Sequence, residues 1–143
     1  MRVKEGNARA FDTSHFRVAR WSGNAHLFWD SNPNQKLELA FPVASRGKYR
    51  VKAYFSRGID YGIHQIFVNR AKASWVDLFL DGGTSGEWWF DGYSSMEKPV
   101  DLGAFVLEKG ENSLGFQCTG KNSQSKGYRF GLDCLVLEKI ERR

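Results

Sequence analysis

The chain has 143 residues, 41% of them hydrophobic and 15% aromatic, with a formal net charge of +5. That length suits one domain with a two-layer core, and nothing approaches the roughly eighteen consecutive apolar residues of a membrane-spanning helix. Lysine and arginine are scattered rather than clustered, so the charge reads as a soluble basic surface, with neither nucleic acid nor membrane expected as a partner.

The chain opens on Met1-Arg-Val-Lys-Glu-Gly6, which has no apolar core and is no signal peptide. The protein either stays inside the cell or is a domain of a longer secreted chain. Val3, Ala8, Ala10 and Phe11 predict a first strand, and Phe16 with Val18 a second. Trp21-Ser-Gly-Asn24 is a turn signal, Ala25–Trp29 a short aromatic strand, and Asp30-Ser-Asn-Pro-Asn34 a loop by composition. Leu37, Leu39 and Phe41 then alternate with polar or small neighbours in a half-buried strand that Pro42 ends. After a turn at Ser45–Lys48, Tyr49, Val51, Ala53 and Phe55 alternate with Lys48, Arg50, Lys52 and Tyr54, the clearest period-two run in the chain.

Ser56–Gly62 reads as a loop and Ile63–Val68 as the next strand, with Asn69-Arg70 the turn of a hairpin leading to Ala73–Leu80. Asp81–Gly86 is polar, and Glu87-Trp-Trp-Phe-Asp-Gly-Tyr93 follows without helical period. Val100–Leu107 is a strand, Glu108–Asn112 a turn, and Leu114–Cys118 a strand. Gly120–Gly127 has no apolar residue and is expected to lie outside the core. Tyr128-Arg-Phe130 and Leu132–Leu137 form the closing strand, with Gly131 predicting a bulge or a close backbone approach.

No segment keeps a 3.6-residue period. Short strands spaced by Gly, Asn and Ser turns predict one all-β domain over residues 1–143, an antiparallel β-sandwich or jelly roll. Cys118 and Cys134, placed on a hairpin centred near Gln124, would be offset too far for a disulfide, so two free and mostly buried thiols are expected.

The series Trp21-Ser-Gly-Asn-Ala-His-Leu-Phe-Trp29, Gly47-Lys-Tyr-Arg-Val51, Asp60-Tyr-Gly62, Asp101-Leu-Gly103, Lys109-Gly-Glu-Asn112 and Gly127-Tyr-Arg-Phe-Gly-Leu-Asp133 resembles a galactose-binding-like β-sandwich. Such modules are similar to family-6 and family-35 carbohydrate-binding modules, of the kind attached to bacterial glycoside hydrolases, including family-172 type proteins. The resemblance covers roughly residues 18 to 138. It implies an accessory domain whose catalysis lies in a separate partner domain, an oligo- or polysaccharide as ligand, and an extracellular or periplasmic setting within a longer chain. The paired acids with which many such modules begin are reduced here to Glu5, and the Trp-rich stretch Gly82–Tyr93 has no counterpart in the pattern.

The residues themselves give no sign of catalysis. His15, His26 and His64 stand apart without metal spacing, and there is neither a G-x-S-x-G elbow nor a phosphate loop. Asp133 is either a structural acid, satisfied by backbone amides or by Lys48 or Arg129, or a ligand with Glu5 of a structural calcium. Phe41, Tyr49, Val51, Phe55, Phe105 and Phe116 are expected in the core, and Trp21 and Trp29 at least half-buried.

Trp88, Trp89 and Tyr93 stand among Gly, Ser, Glu and Asp, a setting that suits a sugar, a protein interface or loop packing. The candidate site is a cluster of loops at one end: Trp29, Asp60, Tyr61, Trp88, Trp89, Tyr93, Asn122, Lys126 and Tyr128. Rings would stack on the sugar, Asp60 and Asn122 would hold hydroxyls, and Lys126 would favour acidic sugars. The alternative is a structural module that packs on a catalytic domain or forms a homo-oligomer through strand edges and aromatic patches.

Overall fold

The computed structural model of the chain describes residues 2–12, 25–79 and 99–140. Within them every regular element is a strand: β1 (Arg2–Glu5), β2 (Arg9–Asp12), β3 (Ala25–Trp29), β4 (Lys36–Val43), β5 (Gly47–Ser56), β6 (Ile63–Val68), β7 (Ala71–Asp77), β8 (Val100–Leu107), β9 (Gly110–Gly120) and β10 (Phe130–Lys139). They form two five-stranded antiparallel sheets, in the orders β1-β4-β9-β6-β7 and β2-β3-β10-β5-β8. The expected sandwich is present.

Alternation decides which residues meet between the sheets. On β5, Val51, Ala53 and Phe55 are buried while Lys52 and Arg50 face out toward Glu138 and Asp101, as a period of two requires. Leu37 and Leu39 on β4 sit opposite Phe116 and Leu114 on β9, and all four are buried. The centre is aromatic: Phe116 and Phe130 lie 4.5 Å apart, and Phe55 packs edge-on to both, at 6.0 and 5.7 Å. Each fully buried ring of this kind stabilises the fold by about 1.5–3 kcal/mol.

The Asn69-Arg70 turn forms as expected, both residues having positive φ (47° and 68°), which matches the twist of a two-residue hairpin. Other expectations change. The single strand expected from Val3 to Phe11 is two, β1 and β2, in opposite sheets. β4 continues through Pro42, which is paired in register with Glu111; the neighbouring β1 reaches only Ala40 through Arg2, so the missing N–H of Pro42 lies beyond that ladder. The bulge in β10 falls at Asp133, between Leu132 and Cys134, and not at Gly131, which pairs normally with Phe28 and Ser56.

Nor do β9 and β10 form a hairpin. They belong to opposite sheets, so Cys118 and Cys134 are separated by the layering of the sandwich rather than by an offset along one ladder. Neither is in a disulfide; Cys118 is buried and Cys134 half-buried.

The connections that follow odd-numbered strands gather at one end of the sandwich: 6–8, 30–35, 57–62 and 121–129, together with the end of β7 and the start of β8. This is the loop pole. The far end carries the short turns 44–46, 69–70 and 108–109.

Candidate functional site

The loop pole is built by pressing backbone against backbone. A Cβ on Gly62 would lie 2.9 Å from the Tyr128 Cα, closer than Cβ atoms come, and a tight 3.0 Å from the Gly120 carbonyl, so backbone would have to shift. With that space empty, the 57–62 and 121–129 loops zip together. The Lys126 amide donates to the Ile59 carbonyl (2.9 Å), the Arg129 amide to the Asp60 carbonyl (3.0 Å), and the Gly62 amide to the Arg129 carbonyl (2.9 Å). Ser125 is the hub of the longer loop: its hydroxyl donates to the Tyr61 carbonyl (2.7 Å) and accepts the Gly127 amide (3.3 Å). It is buried, so the polar run expected wholly outside the core does enter it at this one position.

Behind these loops lies a polar relay among rings. The Ser31 hydroxyl donates to the Tyr128 carbonyl (2.5 Å), which leaves Ser31 Oγ to accept from His64 Nε2 at 3.0 Å. His64 is fully buried, 5.7 Å from the Trp29 ring and 5.0 Å from the Phe130 ring. Burial pushes its pKa down to about 4, and its Nδ1 is buried without a hydrogen-bond partner. The relay ties the 30–35 loop, β6 and the 121–129 loop into one unit.

The expected site residues divide. Asp60, Asn122, Lys126 and Tyr128 do come together at this pole. Two of them are engaged with the protein itself. Asp60 Oδ2 accepts from Arg129 Nη1 at 2.8 Å, while its Oδ1 is buried without a hydrogen-bond partner. The Asn122 amide donates to Asp77 Oδ2 (3.0 Å), and its Oδ1 accepts the Gln124 amide (3.0 Å). Asp77 in turn accepts the Phe79 amide (3.0 Å), and Arg57 donates to the Asp77 carbonyl (3.0 Å). Burial lowers the Arg57 pKa against the opposing charge of Asp77. Lys126 is exposed and Tyr128 half-buried.

Trp29 and Tyr61 do not offer ring faces to a ligand: they are 1% and 0% exposed. Trp29 is the last residue of β3, opposite Phe130, and its parity turns it inward onto that ring, 5.8 Å away. Trp88, Trp89 and Tyr93, like Trp21 and His15, lie outside the described residues. The chain on either side of 80–98 is fixed at this pole, with Phe79 bridged to Gly58 and Val100 paired with Ala53.

Glu5 ends an edge strand of one sheet, whereas Asp133 is the bulged residue of a central strand in the other. Among the described residues no group of three or more His, Cys, Asp and Glu could hold a metal ion. These two acids fall short of the six to eight or so oxygens that calcium takes, and Asp133 makes contacts within the protein.

Sequence reasoning misses Ser31, His64 and Ser125. For His64 a signal existed: it shares parity with the buried Ile66 and Val68 on β6. It also misses Trp75, which is 64% exposed on the outer face of β7.

In structure the chain is similar to part of a xanthan lyase from Paenibacillus, with a TM-score of 0.73 and 23% identity over 95% of this chain and 12% of that one. It is similar to a family-35 carbohydrate-binding module from an environmental isolate (TM-score 0.56, 13% identity, 94% of this chain and 85% of that one). Another family-35 module, from Clostridium thermocellum, gives a TM-score of 0.55 and 19% identity over 93% of this chain and 88% of that one. No protein-family model matches the sequence, and no curated protein matches it. At these identities the likeness establishes the fold: an antiparallel β-sandwich of the kind seen in family-35 carbohydrate-binding modules.

Proposed function

We propose that the chain is a non-catalytic carbohydrate-binding module, the accessory domain of a longer, extracellular or periplasmic glycan-active protein, and that it takes its ligand at the loop pole. The observation that carries this reading is the extent of the likeness: nearly all of this chain superposes on nearly all of modules named for binding carbohydrate. The pole supports it, since loops bonded backbone to backbone hold their side chains in fixed positions at little ordering cost.

In this reading Trp88, Trp89 or Tyr93 supplies the stacking ring, and Lys126 favours acidic sugars. Asp60 and Asn122 act mainly by holding the loops, while Trp29 and Tyr61 shape the pole from beneath. One ring face of roughly 60–80 Å² at about 25 cal/mol per Å² gives on the order of 2 kcal/mol. A millimolar complex needs about 4 kcal/mol, so a second ring or well-placed hydrogen bonds must add to the first. The expected affinity is micromolar to millimolar.

A glycan array on the purified chain, followed by calorimetry on the best ligand, tests this. Binding in that range, weakened by Trp88→Ala or Trp89→Ala with the melting temperature nearly unchanged, supports the reading. An array without a ligand, and a chain that instead associates with a catalytic domain, replaces it with a structural module.

A further inference from the structure

His64 occupies a position that its strand otherwise fills with hydrocarbon: it shares inward parity on β6 with Ile66 and Val68, and all three are buried. Its tautomer follows from its neighbours. The Ser31 hydroxyl gives its one hydrogen to the Tyr128 carbonyl, so His64 Nε2 carries the ring hydrogen that Ser31 Oγ accepts. Nδ1 then holds a bare lone pair, buried and without a hydrogen-bond partner. An unsatisfied buried polar atom works against folding, and an apolar side chain would avoid that cost. A residue that opposes its own packing answers a demand other than folding.

The surroundings make this ring responsive to protons. Trp29 on β3 and Phe130 on β10 lie 5.7 and 5.0 Å from it, and Val76 on β7 and Cys118 on β9 are its partners in register. Cys118 is the titratable group that β9 sets against it, and burial pushes that thiol up, so it stays neutral. In the loops, Asp30 and Asp60 turn to Arg129 (3.9 and 2.8 Å). Asp77 turns to Asn122 (3.0 Å), and Arg57 donates to the Asp77 carbonyl (3.0 Å). The carboxylates of the pole are engaged elsewhere, and burial sets the proton uptake of the ring.

A protonated Nδ1 needs an acceptor, and water supplies one when the cage around the ring opens. Three segments close that cage: the 30–35 loop through Ser31, the 121–129 loop through Tyr128, and β6 through His64. The first two are connections rather than ladder strands, so they can lift while β5 stays paired with β10 and β4 with β9. An open pole takes up the proton near pH 6.5 and a closed one near 4. Between those values acid favours the open form by about tenfold per pH unit, about 300-fold in all.

We propose that the His64–Ser31–Tyr128 relay is an acid-sensitive latch on the loop pole: a proton on His64 Nδ1 releases the 30–35 and 121–129 loops together while both sheets stay paired. A glycan held at the closed pole and that proton then oppose each other. This consequence rests on the carbohydrate-binding reading above, whereas the latch itself needs no ligand.

Amide exchange of the intact chain without ligand, from pH 7 to 4 and corrected at each pH for the intrinsic rate, reads the latch. The Gly62, Lys126 and Arg129 amides, which join the two loops, should be less protected than the β5–β10 ladder. Their protection should be level above about pH 6.5 and fall about tenfold per unit below it. In His64→Gln it should be level throughout. Ser31→Ala cuts the relay but keeps the histidine, so it should lower protection at every pH and retain the acid slope. It serves where His64→Gln does not fold. A short oligogalacturonide at ten times its dissociation constant should raise protection of the three amides about tenfold at pH 5.

Protection that stays level in acid overturns the latch. So does protection equal to that of the ladder at every pH, since the pole would then open only with the whole fold. An acid slope that persists unchanged in His64→Gln takes the role away from His64. An oligogalacturonide without effect, in a chain whose pole amides do respond to acid, overturns the binding reading and leaves the latch standing.

Discussion

The loop pole and the outer sheet face use glycine for opposite reasons. At the pole, Gly62 is obligatory because the Tyr128 backbone occupies the space a Cβ would need. On the sheet, Gly115 has room for a Cβ and stays bare. Pole residues are also consumed by one another, Asp60 by Arg129 and Asn122 by Asp77, whereas the face leaves Trp75 open. A residue demanded by packing and a residue spared by packing look alike in sequence. Only the surrounding atoms tell them apart.

The largest expected effect breaks the pole from behind. His64 in the unfolded chain takes up a proton near pH 6.5, but in the folded chain only near 4, because burial disfavours its charged form. Between those values the unfolded state binds more protons, so stability is complete above about pH 6.5 and falls as pH drops toward 4. The loss is on the order of 3 kcal/mol by pH 4. Urea unfolding of wild type and His64→Gln across this window should show a flatter pH dependence in the variant. Equal slopes would mean that His64 titrates alike in both states.

The next effect separates the two glycines. Gly62→Ala should cost about 2–3 kcal/mol, since backbone rather than a flexible side chain must move. Gly115→Ala should be neutral or gain about 0.5–1 kcal/mol. Denaturant midpoints for the pair decide it, and a large loss in both would show that Gly115 is needed for packing after all.

A smaller effect sharpens the account of the 121–129 loop. Ser125→Ala removes the hydroxyl that donates to the Tyr61 carbonyl and should cost about 1–2 kcal/mol. Amide exchange should quicken at Lys126 and Gly127 while the β5 ladder stays protected. Unchanged exchange at both amides would remove Ser125 from its role as hub.

Much of the fold was legible because period-two burial writes itself into sequence. The β5 run and the Asn69-Arg70 turn both formed where the pattern put them. What alternation cannot state is which sheet a strand joins. β9 and β10 follow one another in sequence, and nothing local reveals that 121–129 crosses between layers instead of closing a hairpin. The site suffered from a similar gap. Trp29 and Tyr61 stand beside polar loop residues yet turn inward, and Trp75 stands in an ordinary strand yet turns out, because facing depends on the partner strand's register.

The central claim, that this sandwich binds glycan at its loop pole, is tested most directly by amide chemical-shift mapping of the intact labelled chain. A short acidic oligosaccharide should shift amides in 57–62 and 121–129. No shifts from any glycan, or shifts confined to the far turns 44–46 and 108–109, would contradict the account.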